Sequence, residues 1–198
     1  MDLADYETVR DRFRGRVIGE KRQRRVVLGS KASAVFENRD TVLLQIQEML
    51  RTERITRPAA VMHEIETYNE LLPGPDELSC TLMIEIADKA ERDEFLRAAK
   101  GLESHVWLVA GSQRIAARNV SHGASAETWA DAPADRTTAV HYLKFLLPSD
   151  LAERYRAPAD GRDRASGVAL EIDHPAYAAH ADLSAETVSA LGEDLRNP

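Results

Sequence analysis

Three glutamates lie on or beside apolar elements of this sequence, where a carboxylate can do chemistry. Glu37 precedes an amphipathic helix, Glu48 lies beside the apolar stripe of that helix, and Glu85 lies inside an apolar strand. A carboxylate removed from water must be paired or change its pKa, and a shifted pKa suits acid–base catalysis or metal binding. Glu37, Glu48 and Glu85 are therefore the candidate catalytic residues. The favoured alternative is a buried hydrogen-bond network that fixes how the helix meets the sheet.

Amide, guanidinium and phenol side chains near Glu48 make up a candidate binding set. Gln45 and Glu48 belong to a polar stripe that borders the apolar stripe formed by Val42, Ile46 and Met49. Because a core that packs on the apolar stripe also covers its border, we expect Gln45 and Glu48 to be mostly buried, and Glu48 to be hydrogen-bonded to another element. The candidate binding residues, which include the potential partners nearest to Glu48 in the sequence, are Arg39, Gln45, Gln47, Arg51 and Tyr68.

The other reactive side chains give weaker signals. Cys80 alternates with apolar residues on a strand, which indicates a small buried hydrophobe rather than a nucleophile. Lys144, inside another apolar strand, is a possible ion-pair partner for Glu85. His141 and His174 lie on or beside strands that could be neighbours. The sequence contains no phosphate loop, dinucleotide glycine fingerprint, nucleophile elbow or paired-histidine spacing, so no cofactor and no metal ligands are assigned from motifs.

The elements that must position these residues predict an α+β fold. Hairpin signals dominate the middle of the chain, and strands do not alternate regularly with helices, which favours a mainly antiparallel sheet of about five strands with helices packed against it. Helices are predicted over residues 4–23, from a cap at Asn38 or Asp40 to the sequence TRP at 56–58, and from Pro58 to about Leu72. The predicted strands are RRVVLG, ASAVFE, ELSCTLMIEIA, HVWLVAG, RIAARNV, TTAVHYLKFLLP and VALEID; residues 121–136 are predicted to be a loop.

Composition places the chain among globular cytoplasmic proteins. It has 198 residues, of which 43% are hydrophobic and 30% charged, values typical of a single folded domain over residues 1–198. The first residues lack the pattern of a secretory signal, and no apolar run is long enough to span a bilayer. The single cysteine, Cys80, excludes an internal disulfide. We therefore expect a cytoplasmic protein that is not inserted in a membrane.

Charge is distributed unevenly along the chain. Residues 1–31 contain nine Lys and Arg against five Asp and Glu, a net charge of +4, whereas the whole chain carries −7. This pattern predicts a basic N-terminal helical arm over residues 1–31 that precedes an α+β body over residues 32–198. A basic arm could bind nucleic acid, but no aromatic side chains are interleaved with the cations to stack on bases. Pairing of the arginines with the acidic body is the favoured reading.

Two segments of the chain resemble a bacterial family of roughly 200-residue proteins of unknown function. They are FENRDTVLLQIQEMLRTERI and EIETYNELLPGPDELSCTLMIEI, with weaker likeness at TAVHYLKF and HPAY. The resemblance covers most of the chain but implies no established catalytic residues. If the family motif marks a site or a contact surface, it falls here on Glu37, Asn38, Arg39, Asp40, Thr41, Gln45, Gln47, Glu48, Arg51, Glu53, Glu64, Tyr68, Asn69 and Glu85.

The resemblance also implies a functional context. Members of the family are often encoded beside rubrerythrin-like non-haem iron proteins and iron–sulfur oxidoreductases. The leading hypothesis is therefore an accessory protein that binds such a redox protein, in iron-dependent redox chemistry or oxidative stress. One alternative is an enzyme that uses Glu37, Glu48 or Glu85 for acid–base or metal chemistry. The other is nucleic-acid binding through the basic arm.

Overall fold

Two antiparallel sheets and six helices make up the part of the chain that this computed structural model describes, residues 3–120, 135–157 and 167–196. Sheet A has the strand order β1–β2–β3–β7–β6, and sheet B has the order β5–β4–β8–β9. The strands are β1 Arg25–Leu28, β2 Ala32–Glu37, β3 Glu77–Ile84, β4 Val106–Ala110, β5 Gln113–Ala116, β6 Arg118–Asn119, β7 Val140–Leu146, β8 Val168–His174 and β9 Tyr177–Asp182.

The inner faces of the two sheets share one apolar core. Strand alternation turns Phe36, Leu82 and Phe145 of sheet A and Leu108 and Leu170 of sheet B into this core, where each is fully buried. Three helices complete the core: α4 Lys89–Ala98, α5 Ser149–Arg156 and α6 Ala185–Arg196.

The edges of the two sheets meet where β1 packs against β8 and β9. The Tyr177 hydroxyl donates to the carbonyl of Leu28 and accepts a hydrogen bond from the Lys31 amide at 3.1 Å. Gly29, in the turn between β1 and β2, has φ +65°, and the Tyr177 oxygen lies 2.6 Å from where a Cβ would stand. A side chain at this position would therefore disturb the junction of the sheets.

The outer face of sheet A carries a helical layer. It consists of α1 Leu3–Gln23, α2 Arg39–Thr52 and α3 Pro58–Asn69, with a small second core of Val42, Ile46, Leu50, Tyr68 and Leu71. Helix α2 begins at a capping box, in which Asn38 accepts from the Thr41 amide at 2.9 Å and the Asn38 amide donates to Thr41 Oγ1 at 2.8 Å. Helix α3 has its proline at the first turn. This layer forms one side of the candidate site.

The predicted α+β class and its five-stranded antiparallel sheet are confirmed, but the second sheet was not predicted. Strand β9 has the sequence YAAHAD, whose alanines lack the β-branched signal of a strand, and HPAY is the tight turn of the β8–β9 hairpin. Most of the predicted 121–136 loop lies outside the described residues. Among the described helices, none combines the length and apolarity that a membrane span requires.

Candidate functional site

A groove of about 470 Å³ separates the helical layer from the outer face of sheet A. Its floor follows from strand register: Val35 lies opposite Thr81, Thr81 opposite Tyr142, and Met83 opposite Val140. The side chains of these five residues point away from the core between the sheets. Side chains alternate along a strand, and these five alternate with residues that belong to the core. Helices α1 and α2 form the walls, and β1 forms part of the rim. The volume is within the range of small-molecule sites in proteins.

Glu37 is the buried acid of this groove. It is the last residue of β2 and is only 6% exposed. Thr81 Oγ1 donates to Glu37 Oε1 at 2.7 Å, and Lys21 Nζ lies 3.9 Å from Glu37 Oε2. Burial, followed by the effects of Tyr68 and Glu37, raises the pKa of Tyr142 to about 12. The Tyr142 hydroxyl therefore stays protonated and neutral at physiological pH.

Three cations line the groove beside this carboxylate. Ile18, Lys21 and Arg22 are spaced three and four residues apart on α1, so they share the helix face that lines the groove. Arg25 lines it from β1 and donates from Nη2 to both carboxylate oxygens of Glu85, at 2.5 and 2.7 Å. The same arginine lowers the pKa of Glu85. Arg22 is exposed, and the described part of the chain gives it no ion pair.

Glu48 lies outside the groove and clamps α1 to α2. Tyr6 donates its hydroxyl hydrogen to Glu48 Oε1 at 2.7 Å, while Arg10 donates from Nε and Nη2 to both carboxylate oxygens at 2.8 Å. The Arg10 hydrogen bonds lower the pKa of Glu48 to about 2, with help from Tyr6. Tyr6 itself is fully buried. Glu48 is thus hydrogen-bonded to another element, as predicted. Its partners Arg10 and Tyr6 are both on α1 and precede Glu48 by 38 and 42 residues in the sequence.

The predicted binding residues do not form one site. Gln45 lines the groove and hydrogen-bonds Tyr68 through its side chain. Arg51 belongs to the α1–α2 contact, where Arg51 Nε donates to Glu7 at 2.5 Å. Glu48 keeps 29% side-chain exposure and Gln45 is also partly exposed, so both are covered without being fully buried. Two residues lie elsewhere on α2: Gln47, which is 4% exposed, and Arg39, which is exposed.

The three predicted carboxylates do not converge. Glu37 pairs in register with Ser79, whereas the Glu85 amide donates to the Lys31 carbonyl, so they lie at opposite ends of β2, about 20 Å apart along the strand. The predicted Glu85–Lys144 pair is wrong. Register places Lys144 opposite Ser79, and Lys144 Nζ contacts Glu77 at 3.2 Å instead. Within the described ranges, no group of three or more His, Cys, Asp or Glu side chains is arranged to hold a metal ion.

The buried histidines and the cysteine have structural contacts. His141 Nε2 lies 3.1 Å from Thr137 Oγ1, and burial lowers the pKa of His141. His174 Nδ1 accepts from the Ala176 amide at 3.1 Å in the β8–β9 turn. The two histidines therefore belong to different contacts rather than to one site. Burial raises the pKa of the Cys80 thiol, which makes it a poor nucleophile.

A second polar cluster, which the sequence did not predict, lies on the open face of sheet B. Asp173 accepts hydrogen bonds from Arg114 at 2.5 Å and from Trp107 Nε1 at 3.0 Å, and His105 Nδ1 lies 3.1 Å from it. These contacts, Arg114 first, lower the pKa of Asp173 to about 2. The guanidinium carbon of Arg114 lies 4.2 Å from the centre of the Trp107 ring. Arg114 Nη2 also donates to Glu171 Oε1 at 2.6 Å. Each charged side chain here has an oppositely charged partner on another strand, so the cluster stabilises the sheet surface.

The cations of the groove were also missed as a site, because residues 1–31 were treated as a basic arm. Their signal was present in the spacing of Ile18, Lys21 and Arg22, which puts an apolar side chain and two cations on one helical face. The register that brings Thr81 and Tyr142 to the same floor cannot be read from the sequence.

Comparison with known proteins identifies relatives but no activity. A crystal structure described as a novel protein of unknown function from Burkholderia pseudomallei is similar to this chain, with 29% sequence identity and a TM-score of 0.83. The match covers 98% of this chain and 95% of the other. Comparison with curated proteins gave no match. The family model described as "Protein of unknown function (DUF3501)" matches residues 1–195, so the chain belongs to that family.

Proposed function

We propose that this protein is a non-catalytic binding protein whose groove between α1, α2 and sheet A holds a small molecule. The observation that carries this proposal is the combination of a 470 Å³ cavity, an apolar floor and a few polar groups that converge on it. Thr81 and Lys21 both contact Glu37 there, so the polar end of the cavity is organised before a ligand arrives. Organisation of this kind reduces the entropy lost on binding.

Binding is better supported than catalysis by the state of Glu37. One carboxylate oxygen accepts from Thr81, and the other faces Lys21, so both oxygens already have partners within the chain. The enzyme alternative is supported only by the place of Glu37 in the groove, because Glu48 and Glu85 lie outside it. Nucleic-acid binding has less support, since most cations of residues 1–31 have ion pairs within the chain: Arg10, Arg16, Lys21, Arg24, Arg25 and Lys31.

The groove proposal is tested with N-phenyl-1-naphthylamine, a neutral apolar dye whose fluorescence rises when it leaves water. We expect saturable binding to the native protein at one site. Met83→Trp fills the groove floor with a side chain that suits a strand, so it should abolish this binding. Val109→Trp is the matched control on the open face of sheet B, and it should leave dye binding unchanged. Equal dye binding by wild type and Met83→Trp, with both folded by circular dichroism, would refute the proposal.

A second proposal is an accessory role beside an iron redox protein. Its support is the family resemblance together with Val27 and Leu146, which are 63% and 65% exposed on the outer face of sheet A. These two side chains lie at opposite ends of the sheet, so they mark two separate contact points rather than one apolar patch. The test is retention of the protein from its own cell extract on immobilised wild-type chain, compared with a Val27→Asp, Leu146→Asp variant. The proposal requires that a non-haem iron or iron–sulfur protein, identified by its visible spectrum, is retained only by wild type.

A further inference from the structure

We propose that the groove selects an organic monoanion with an apolar body, such as an aromatic or aliphatic carboxylate, and that Arg22 binds its charged group. This inference rests on the proposed function, because it names the chemical class of the ligand that the groove holds. Three independent features carry it: the charge balance of the rim, the apolar strip of the floor and the position of Glu37.

Among the side chains that line the groove, one positive charge, that of Arg22, has no ion-pair partner in the described part of the chain, although Asp182 and Glu186 line a smaller pocket beside it. Lys21 faces Glu37, and Arg25 is held by both oxygens of Glu85. Arg22 lines the same groove, and no ion pair to it is found in the described part of the chain. A net charge of one unit at a partly enclosed site matches one negative charge on a ligand. The whole chain has a net charge of −7, whereas the groove has a net positive charge. The groove therefore differs in sign from the protein as a whole.

The apolar strip determines the body of the ligand. Met83 and Val140 are cross-strand neighbours on the floor, and Val35 lies one pair further along the sheet. Ile18 adds an apolar wall one helical turn before Arg22, on the same face of α1. A ligand whose charge meets Arg22 therefore places its next atoms against Ile18 and the strip. A compact inorganic anion would leave this apolar surface wet, so it fits the groove less well than an organic one.

Glu37 sets the direction in which the ligand lies. Its carboxylate is 6% exposed and is already matched by Lys21, so a second anion beside it would be repelled. The charged group of the ligand is therefore excluded from the Glu37 end. Gln45 and Tyr142 also line the groove and add polar groups without charge to it.

The test compares two dyes with the same apolar body. N-phenyl-1-naphthylamine is neutral, and 8-anilinonaphthalene-1-sulfonate adds one negative charge to that body. We expect wild type to bind the sulfonate about tenfold more tightly than the neutral dye, because a charge-assisted contact contributes roughly 1.4 kcal/mol. Arg22→Gln should weaken sulfonate binding by about fivefold and change neutral-dye binding by less than about twofold. Arg14→Gln, an exposed arginine on the same helix that is not part of the groove, is the control and should change neither.

Different outcomes overturn different claims. If neither dye binds wild type, the proposed function itself is wrong. If both dyes bind with equal affinity and Met83→Trp blocks both, the groove binds ligands but does not select anions, and only the present inference fails. If Arg14→Gln weakens sulfonate binding as much as Arg22→Gln does, the preference comes from general surface charge rather than from Arg22. Glu37→Gln gives an independent check, because loss of its negative charge should tighten sulfonate binding and not that of the neutral dye.

Discussion

The two faces of sheet A show how one set of strands can serve two purposes. The inner face meets sheet B and helices α4 to α6 in a core of fully buried side chains, among them Phe36, Leu82 and Phe145. The outer face is covered by α1 and α2, which ion pairs join to each other, and the groove lies between these helices and the sheet. The same alternation that fills one face with apolar side chains frees the other for Glu37 and its neighbours. Stability and ligand binding can therefore be changed separately, and the following predictions test that separation.

The largest effect is expected from truncation of the inner face. Phe145→Ala removes a fully buried ring from the core between the sheets and should lower the free energy of unfolding by about 4 kcal/mol, because the transfer free energy of the ring is lost and a cavity is left behind. Met83→Ala, on the neighbouring strand but on the groove side, should lower it by less than about 1 kcal/mol, because Met83 is already partly exposed beside empty space. Urea denaturation of both variants measures the difference. Equal losses would contradict the division between the faces.

The next effect concerns a buried ion pair that joins the two ends of the chain. Arg24, which is 6% exposed, pairs through Nη2 with Asp194 Oδ1 of α6 at 2.9 Å, and Nη1 contacts the other oxygen. Arg24→Ala should lower the free energy of unfolding by about 3 kcal/mol, because it leaves Asp194 charged and poorly hydrated. Adding Asp194→Ala to that variant should restore part of the loss. Chemical denaturation of the single and double variants gives the coupling energy.

The Glu48 clamp should have an intermediate effect that depends on pH. Arg10 and Tyr6 lower the folded-state pKa of Glu48 to about 2 from an ordinary value of 4.5, so its contribution is complete above pH 4.5 and disappears as the pH falls toward 2. Glu48→Gln should therefore lower the free energy of unfolding by about 2 kcal/mol at pH 7, and the difference from wild type should shrink at pH 3. Denaturation midpoints at the two pH values measure this.

The control for that variant is Glu53→Gln, an exposed carboxylate at the end of the same helix. Its stability should match that of wild type at both pH values. A pH-independent loss in Glu48→Gln would mean that packing, rather than charge, accounts for the effect.

The smallest effect is expected at Glu85. Its side chain is 47% exposed and that of Arg25 is 39% exposed, so water screens the pair. Glu85→Gln should lower the free energy of unfolding by less than about 0.5 kcal/mol. The same variant should, however, free Arg25 and tighten binding of the sulfonate dye. Stability and dye titrations on one variant thus separate the two consequences, and a large loss of stability would show that the pair is more than a surface contact.

Local signals explain what could be predicted from the sequence. The α2 cap at Asn38, the strand HVWLVAG and the alternation of β3 each depend on a few adjacent residues, and the structure has all three. The pairing of Glu48 with Tyr6 and Arg10 depends on how α1 crosses α2, which no local pattern encodes. The separation of Glu37 from Glu85 depends on strand register for the same reason.

The attachment of α1 has a consequence for its response to ionic strength. Only Tyr6 and Val17 of this 21-residue helix are buried, and ion pairs of Glu7, Arg10 and Arg16 join it to α2. Dissolved salt screens such pairs but does not weaken an apolar core. Raising the salt concentration should therefore speed hydrogen exchange at the backbone amides of α1, while the amides of β3 and β8 keep their protection. We therefore expect this wall of the groove to open first and to admit a ligand without loss of the double sheet.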